Sequence, residues 1–63
     1  MMYRGCFLST ALDYVVAPGE GQWHCEIDAG DFVPVVRTMA YSSIQAALDG
    51  AKAFIDRLKE SEG

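Results

Sequence analysis

The feature that most constrains this chain is an amphipathic stretch in its last third. From Ile44 onwards, apolar residues recur at helical spacing and fall within an arc of about 120°, the width of a core-facing stripe. The members are Ile44, Ala47, Leu48, Ala51, Phe54, Ile55 and Leu58. Ser42 and Gln45 have the spacing of a capping box at a helix start. The pattern predicts one α-helix over residues 43–60.

Strand-like segments precede this helix. The clearest is residues 22–28, where Trp23, Cys25 and Ile27 alternate with polar residues. The other candidates are residues 3–9, 14–17 and 32–39. Residues 14–17 also fit the apolar underside of a loop, and Pro18-Gly19-Glu20-Gly21 then breaks the pattern. The sequence predicts a single α+β domain, a three- or four-stranded antiparallel meander with the helix packed on one face.

The connection between residues 22–28 and 32–39 leaves two registers open. A two-residue loop places the even-numbered residues of the second strand beside Trp23, and a three-residue loop places the odd-numbered ones there. The even set is Phe32, Pro34, Val36 and Thr38, and the odd set is Val33, Val35, Arg37 and Met39. Either register leaves apolar side chains on the opposite face. Pro34 has no N–H to donate, which predicts an edge or bulged strand.

The size and composition indicate a small globular domain with a limited core. The 63 residues are 51% apolar and 22% charged. A chain of this length buries roughly 60% of its unfolded surface, so association with another chain is a natural source of stability. No apolar run approaches the roughly 18 residues of a membrane span. The apolar run near the start is too short for a signal peptide, which predicts a cytoplasmic protein without membrane partners.

Two cysteines, Cys6 and Cys25, lie within strand-like segments rather than in a CxxC motif. In a cytoplasmic protein this placement predicts two buried, reduced thiols that pack as small hydrophobic side chains.

Charge argues against a nucleic-acid partner. The net charge is −4 and the five basic residues are scattered, whereas phosphate binding requires clustered lysine and arginine. Lys52, Asp56 and Lys59 have the spacing of ion pairs along one helix face. The alternative function is a regulatory module that binds nucleic acid through Arg4, Arg37 and Trp23 on the sheet.

His24 and its acidic neighbours are the candidates for chemistry. His24 and Glu26 share the polar side of the central strand and resemble an acid–base pair, but no nucleophile motif accompanies them. Glu26, Asp28 and Asp31 surround the turn, where spaced oxygens can hold a hard cation. Their spacing does not match a calcium-binding loop. We therefore expect a surface histidine, no metal site, no cofactor and no enzymatic activity.

The remaining candidate is an interaction surface. Ala46, Gly50 and Ala53 form a strip of small residues beside the apolar arc, and Gly50 costs the helix roughly 1 kcal/mol relative to alanine. Val33 and Val35 add apolar surface that one helix does not cover. The favoured interpretation is a non-catalytic module that forms a homodimer, or binds another protein, through the free sheet face or an edge strand.

Short motifs along the chain resemble a group of short, uncharacterised bacterial proteins. They are Tyr3-Arg4-Gly5, Gly21-Gln22-Trp23 and Ala47…Ala51-Lys52…Phe54-Ile55-Asp56. This resemblance implies a small sheet-plus-helix protein and carries no established activity. The strand meander and Ser-capped, alanine-containing helix also resemble HicB-like antitoxin modules, which usually have a Pro-Gly-Cys turn where this chain has Pro18-Gly19-Glu20.

Overall fold

The computed structural model describes residues 1–17 and 20–62, which form a four-stranded sheet and one helix. The elements are β1 (Met2–Tyr3), β2 (Cys6–Ala17), β3 (Glu20–Asp28), β4 (Val36–Arg37) and α1 (Ile44–Glu62). The strands pair antiparallel in the order β1-β2-β3-β4, and α1 packs on β2 and β3. The predicted α+β meander with a C-terminal helix is confirmed. Pro18 and Gly19, which the sequence predicts to interrupt the strand pattern, lie outside the described residues.

The prediction of one strand over residues 3–9 is wrong, because a tight turn divides it. Arg4 and Gly5 both have positive φ, at 49° and 86°, and Tyr3 pairs with Cys6 across them. Positive φ at both central residues matches the right-handed twist of the strands that a two-residue hairpin joins. Arginine is uncommon in this conformation, so the turn carries a weak sequence signal.

Strand β2 joins residues 6–9 of the first predicted segment and the predicted segment 14–17 in one long strand. Its ladder with β3 runs from Phe7, opposite Asp28, to Ala17, opposite Glu20. Register shifts between Leu12 and Tyr14 and between Val15 and Ala17 interrupt this ladder. Such bulges let an irregular strand continue as part of a regular sheet. Residues 14–17 are therefore in a strand and not in a loop, but they continue β2 and do not form a separate strand.

The return strand is shorter than predicted. The central strand, predicted at 22–28, is confirmed within β3, but only residues 36–37 of the predicted strand 32–39 belong to β4. Ile27 pairs with Val36, so residues 29–35 form the connection and neither short-loop register occurs. Pro34 has no N–H for a ladder, and a turn bond from Val33 N to Gly30 O shapes the loop before it. Since paired residues share a face, Val36 lies on the Ile27 side of the sheet.

Beyond β4 the chain stays attached to β3 through individual hydrogen bonds. Thr38 N donates to Cys25 O, and Cys25 N donates to Thr38 Oγ1, each over 2.9 Å. Trp23 and Tyr41 then exchange two backbone bonds of 2.7 Å. These contacts hold the segment before α1 along the edge of β3.

Helix α1 begins one residue later than the predicted capping box implies. Ser43, not Ser42, is the cap, because its Oγ accepts from Ala46 N over 3.0 Å. Gln45 does not reach back to the cap but donates from Nε2 to Asp49 Oδ1, one turn further along, over 2.9 Å. Both serines are suitable caps, and only the spacing to Gln45 favoured Ser42 in the sequence.

The core lies between α1 and one face of the sheet. Its buried members are Cys6, Leu8, Cys25, Ile27, Ala47, Ala51 and Ile55. Both cysteines are buried and unbridged, and burial raises the pKa of the Cys25 thiol. The other sheet face, here termed the open face, carries Phe7 from β2 and the side chains of His24 and Glu26 from β3.

A polar contact fastens the β1–β2 turn to α1. The Tyr3 hydroxyl donates to both carboxylate oxygens of Asp56, at 2.8 and 3.0 Å, and Arg4 Nη1 donates to Oδ1 over 2.8 Å. Lys52 Nζ lies 5.7 Å from the centre of the Tyr3 ring. The predicted pairing of Asp56 with Lys52 and Lys59 is wrong, because the turn supplies the partners of this carboxylate instead.

Asp56 gives the fold a pH dependence with a defined sign. The hydrogen bonds from Arg4, and then from Tyr3, lower the pKa of Asp56. Its contribution to stability is therefore complete above the unfolded value of about 4 and declines as pH falls through the lower folded value. We expect the stability difference between wild type and Asp56→Asn to shrink on acidification below about pH 4. Urea unfolding of both proteins at a series of pH values measures this difference in the free energy of unfolding.

Asp49→Asn is the matched control, because it removes an exposed carboxylate of the same helix that accepts only from the Gln45 amide in the described part of the chain. This variant should keep the wild-type dependence on pH. A gap between wild type and Asp56→Asn that stays constant from neutral pH to about pH 2 would contradict the assigned shift.

Candidate functional site

The open face carries a polar cluster that spans three strands. Asp13 comes from β2, His24 and Glu26 come from β3, and Arg37 comes from β4. The alternation of β3 places His24 and Glu26 side by side, as predicted. The pairing of Glu26 with Arg37 brings the arginine to the same face. These four residues are termed the His24 cluster.

Both nitrogens of the His24 ring face a carboxylate. Nδ1 lies 2.6 Å from Asp13 Oδ1 and Nε2 lies 3.0 Å from Glu26 Oε2. Arg37 Nη2 donates to the same Asp13 oxygen over 2.5 Å. His24 is only 5% exposed, so the prediction of a surface histidine is wrong. Asp13 of the neighbouring strand β2 and Glu26 of the same strand contact the ring.

This geometry limits what the histidine can do chemically. A neutral imidazole has one donor and one acceptor, and ionised carboxylates only accept. Both bonds therefore form when the ring carries two protons or when one of the two carboxyl groups carries one. Activation of a nucleophile needs a hydroxyl or thiol bonded to the base. Among the described residues, the His24 ring hydrogen-bonds only to Asp13 and Glu26.

Asp13 is the member of the cluster that sequence reasoning missed. It lies at the register shift between Leu12 and Tyr14, where β2 has a residue without a partner in β3. A bulge of this kind redirects side chains, and here the Asp13 carboxylate reaches His24 and Arg37. Asp13 in an otherwise apolar strand segment was the available signal, but its position in the ladder depends on the bulge.

The acidic residues of the turn have local roles. Asp28 Oδ1 accepts from Gly30 N over 3.0 Å, the usual turn-forming bond of an aspartate. Asp31 is exposed in the same connection. Within residues 1–17 and 20–62, no group of three histidine, cysteine, aspartate or glutamate side chains is placed to hold a metal ion.

The three predicted nucleic-acid contacts do not form one platform. Arg4 pairs with Asp56 on the helix side of the sheet, whereas Arg37 pairs with Asp13 on the open face. Trp23 is half-buried and packs against the core. Each arginine already has a carboxylate partner, which reduces its value for binding phosphate.

The structure explains why a glycine occupies position 50, which the strip of small residues did not reveal. A Cβ at this position would lie 2.3 Å from the Tyr41 hydroxyl oxygen and 2.5 Å from the ring carbon that bears it. The aromatic ring of Tyr41 thus occupies the space above Gly50. In the rest of the strip, Ala46 is half-buried and Ala53 is exposed.

A groove runs between α1 and the segment that contains β4. It consists of two cavities of about 320 and 330 Å³ that share the lining residues Ile27, Val36 and Phe54. The first cavity also contacts Gly50 and the second contacts Val33, so we term them the Gly50 end and the Val33 end of the α1–β4 groove. Gly50 and Val33, two of the predicted interaction residues, therefore line the same groove. Val35 is exposed but does not line either cavity.

Comparison with known proteins gives no relative from which a function can be transferred. No family model matches the sequence, and no curated protein or solved structure is significantly similar to it. None of the helical residues that the structure describes forms a helix long and apolar enough to cross a membrane. The His24 cluster and the α1–β4 groove are the two features of the described residues that bear on function.

Proposed function

We propose that the protein is a non-catalytic interaction module that self-associates through the α1–β4 groove. The observation that carries this proposal is the concentration of exposed apolar side chains beside the groove. They are Phe32, Val33, Val35, Val36, Met39 and Leu58. Patches of this kind on small proteins commonly mark interaction sites.

The groove is better suited to association than the sheet face or edge that the sequence favoured. The centre of the open face is the charged His24 cluster, and desolvating such groups is costly. The outer edge of β2 is unpaired with any described strand beyond the contacts of its first residues with β1. Its bulges near Asp13 and Val15 are features that discourage edge pairing.

The non-catalytic part of the proposal is supported by the occupied ring of His24. A free base aimed at a substrate site is the usual starting point for acid–base chemistry, and here both nitrogens already have carboxylate partners. A cytoplasmic location belongs to the same proposal, and two buried, unbridged cysteines support it.

Sedimentation equilibrium over a protein concentration series tests self-association. We expect a monomer–dimer equilibrium with a dissociation constant in the micromolar range, and amide shifts on dilution that map to residues 33–39 and α1. Tyr14 on the open face is the internal reference and should not shift. A protein that stays monomeric up to about 1 mM, the weak end of the affinity scale, would refute the proposal.

A further inference from the structure

We propose that the occupant of the groove is Phe32 of a second copy of the chain, exchanged reciprocally between two subunits. This inference depends on the proposed function, since it names the partner and the anchor residue of the same groove. Phe32 would fill the Val33 end of the partner's groove. A charged contact between Asp31 of one subunit and Lys59 of the other would orient the pair.

Phe32 is presented outward by a turn that is already formed. Asp28 Oδ1 accepts from Gly30 N, and Val33 N donates to Gly30 O over 3.3 Å, which places Asp31 and Phe32 at the tip. Phe32 is 101% exposed, as much as in an unstructured chain. Turn tips usually carry glycine, proline or small polar residues. Because the turn is already formed, the backbone around Phe32 loses little entropy when the side chain binds, and such preorganisation increases the affinity of an interface anchor.

The Val33 end of the groove has the size and chemistry to accept an aromatic ring. Its apolar lining includes Ala29, Phe54 and Leu58, and its volume is about 330 Å³. An apolar cavity of about 150 Å³ is large enough to bind benzene. The groove therefore accommodates a phenyl ring and leaves space for part of the turn that carries it.

The anchor and its receptor lie on the same surface of the molecule. Phe32 is adjacent in sequence to Val33, which itself lines the receptor cavity. A twofold dimer requires one self-complementary patch that supplies both partners, because a separate patch would produce open chains of molecules. The adjacency of Phe32 and its receptor thus predicts a closed dimer and no larger assembly.

Charge favours the same arrangement. Asp31 stands beside Phe32 at the turn tip, and Lys59 lines the Val33 end of the groove. Neither forms an ion pair with another described residue. The chain as a whole carries −4, so a lysine at the receptor is a local exception to its acidic character. Exchange of Phe32 between subunits would bring Asp31 towards Lys59 twice in each dimer.

The test compares Phe32→Ala with Phe7→Ala by sedimentation equilibrium of the full chain. Phe32→Ala should raise the dimer dissociation constant by about 100-fold or more, because both subunits lose an anchor. Phe7→Ala removes the same side chain from the open face and should leave the constant within about threefold of wild type. Leu58→Glu, at a half-exposed helix position that lines the receptor, should weaken the dimer as Phe32→Ala does.

A charge exchange tests the orientation. Asp31→Lys alone and Lys59→Glu alone should each weaken the dimer by about 3- to 10-fold, and the double variant should recover most of that loss. If Phe32→Ala dimerises like wild type, or if Phe7→Ala weakens the dimer more than Phe32→Ala does, the reciprocal insertion of Phe32 is refuted while self-association stands. A wild-type protein that is monomeric at all concentrations refutes the proposed function and this inference together.

Discussion

Replacing Gly50 with alanine is expected to destabilise the protein by about 1–3 kcal/mol, although alanine is the better helix former. A Cβ at this position would overlap the Tyr41 ring, with contacts of 2.3 and 2.5 Å. Two backbone bonds with Trp23 fix the backbone of Tyr41, and its half-buried ring packs against the core, so moving the ring aside loses packing contacts. The cost of overpacking therefore exceeds the gain of about 1 kcal/mol in helix propensity. Urea unfolding midpoints at an unchanged m-value measure the difference.

Two further variants separate packing from propensity. Ala53→Gly changes the same atom at an exposed position of α1 and should cost about 1 kcal/mol through propensity alone. In a Tyr41→Ala background the overlap is gone, so Gly50→Ala should become stabilising by about 1 kcal/mol. A Gly50→Ala effect of the same sign in both backgrounds would show that Tyr41 is not the reason for the glycine.

Gly50 also illustrates how far the sequence determines the fold. Helical periodicity locates α1 and the buried centre of its stripe, although Ile44 and Leu58 at the ends of the stripe are exposed, and the alternation around Trp23 locates β3. These patterns are local, so they predict the elements well. The contact of Tyr41 with Gly50 joins residues outside and within the helix, and it exists only because the preceding segment bonds along β3. No periodic pattern encodes such a contact.

Turns and registers account for the remaining differences in the fold. Arg4-Gly5 forms a two-residue hairpin although arginine is not a usual turn residue at positive φ. Between β3 and β4, the Gly30–Val33 turn and Pro34 together lengthen the connection beyond the two short loops that sequence suggested. In both connections, the residues present allow more than one turn type or loop length. The sequence alone therefore does not decide which one forms.

The candidate sites also contain some contacts that local sequence patterns predict and others that depend on long-range pairing. His24 and Glu26 are two residues apart on one strand, so their proximity is predictable from the period of a β-strand alone. Asp13 and Arg37 join them only through the bulge in β2 and the register of β4. The polar cluster around the buried His24 therefore depends on contacts that are distant in sequence. The α1–β4 groove likewise depends on where a long connection places Val33 and Val36.

The His24 cluster should contribute strongly to stability through Asp13. Asp13→Ala is expected to cost about 2–3 kcal/mol, because it leaves the buried Nδ1 of His24 without its partner. A domain of this size has a total stability of roughly 3–9 kcal/mol, so the variant loses a large fraction of it. Urea unfolding near neutral pH, at an unchanged m-value, measures the loss.

Arg37→Ala distinguishes the contribution of the Asp13–Arg37 pair to stability from that of the Asp13–His24 pair. It removes the other hydrogen bond to the same carboxylate oxygen, but the Arg37 side chain is 61% exposed and water can replace its contact. We expect a cost below about 1 kcal/mol. Equal losses for the two variants would mean that the arginine pair, and not the buried histidine, accounts for the role of Asp13. Because the cluster joins β2, β3 and β4, the larger loss at Asp13 would also show that polar contacts on the open face contribute to holding the sheet together.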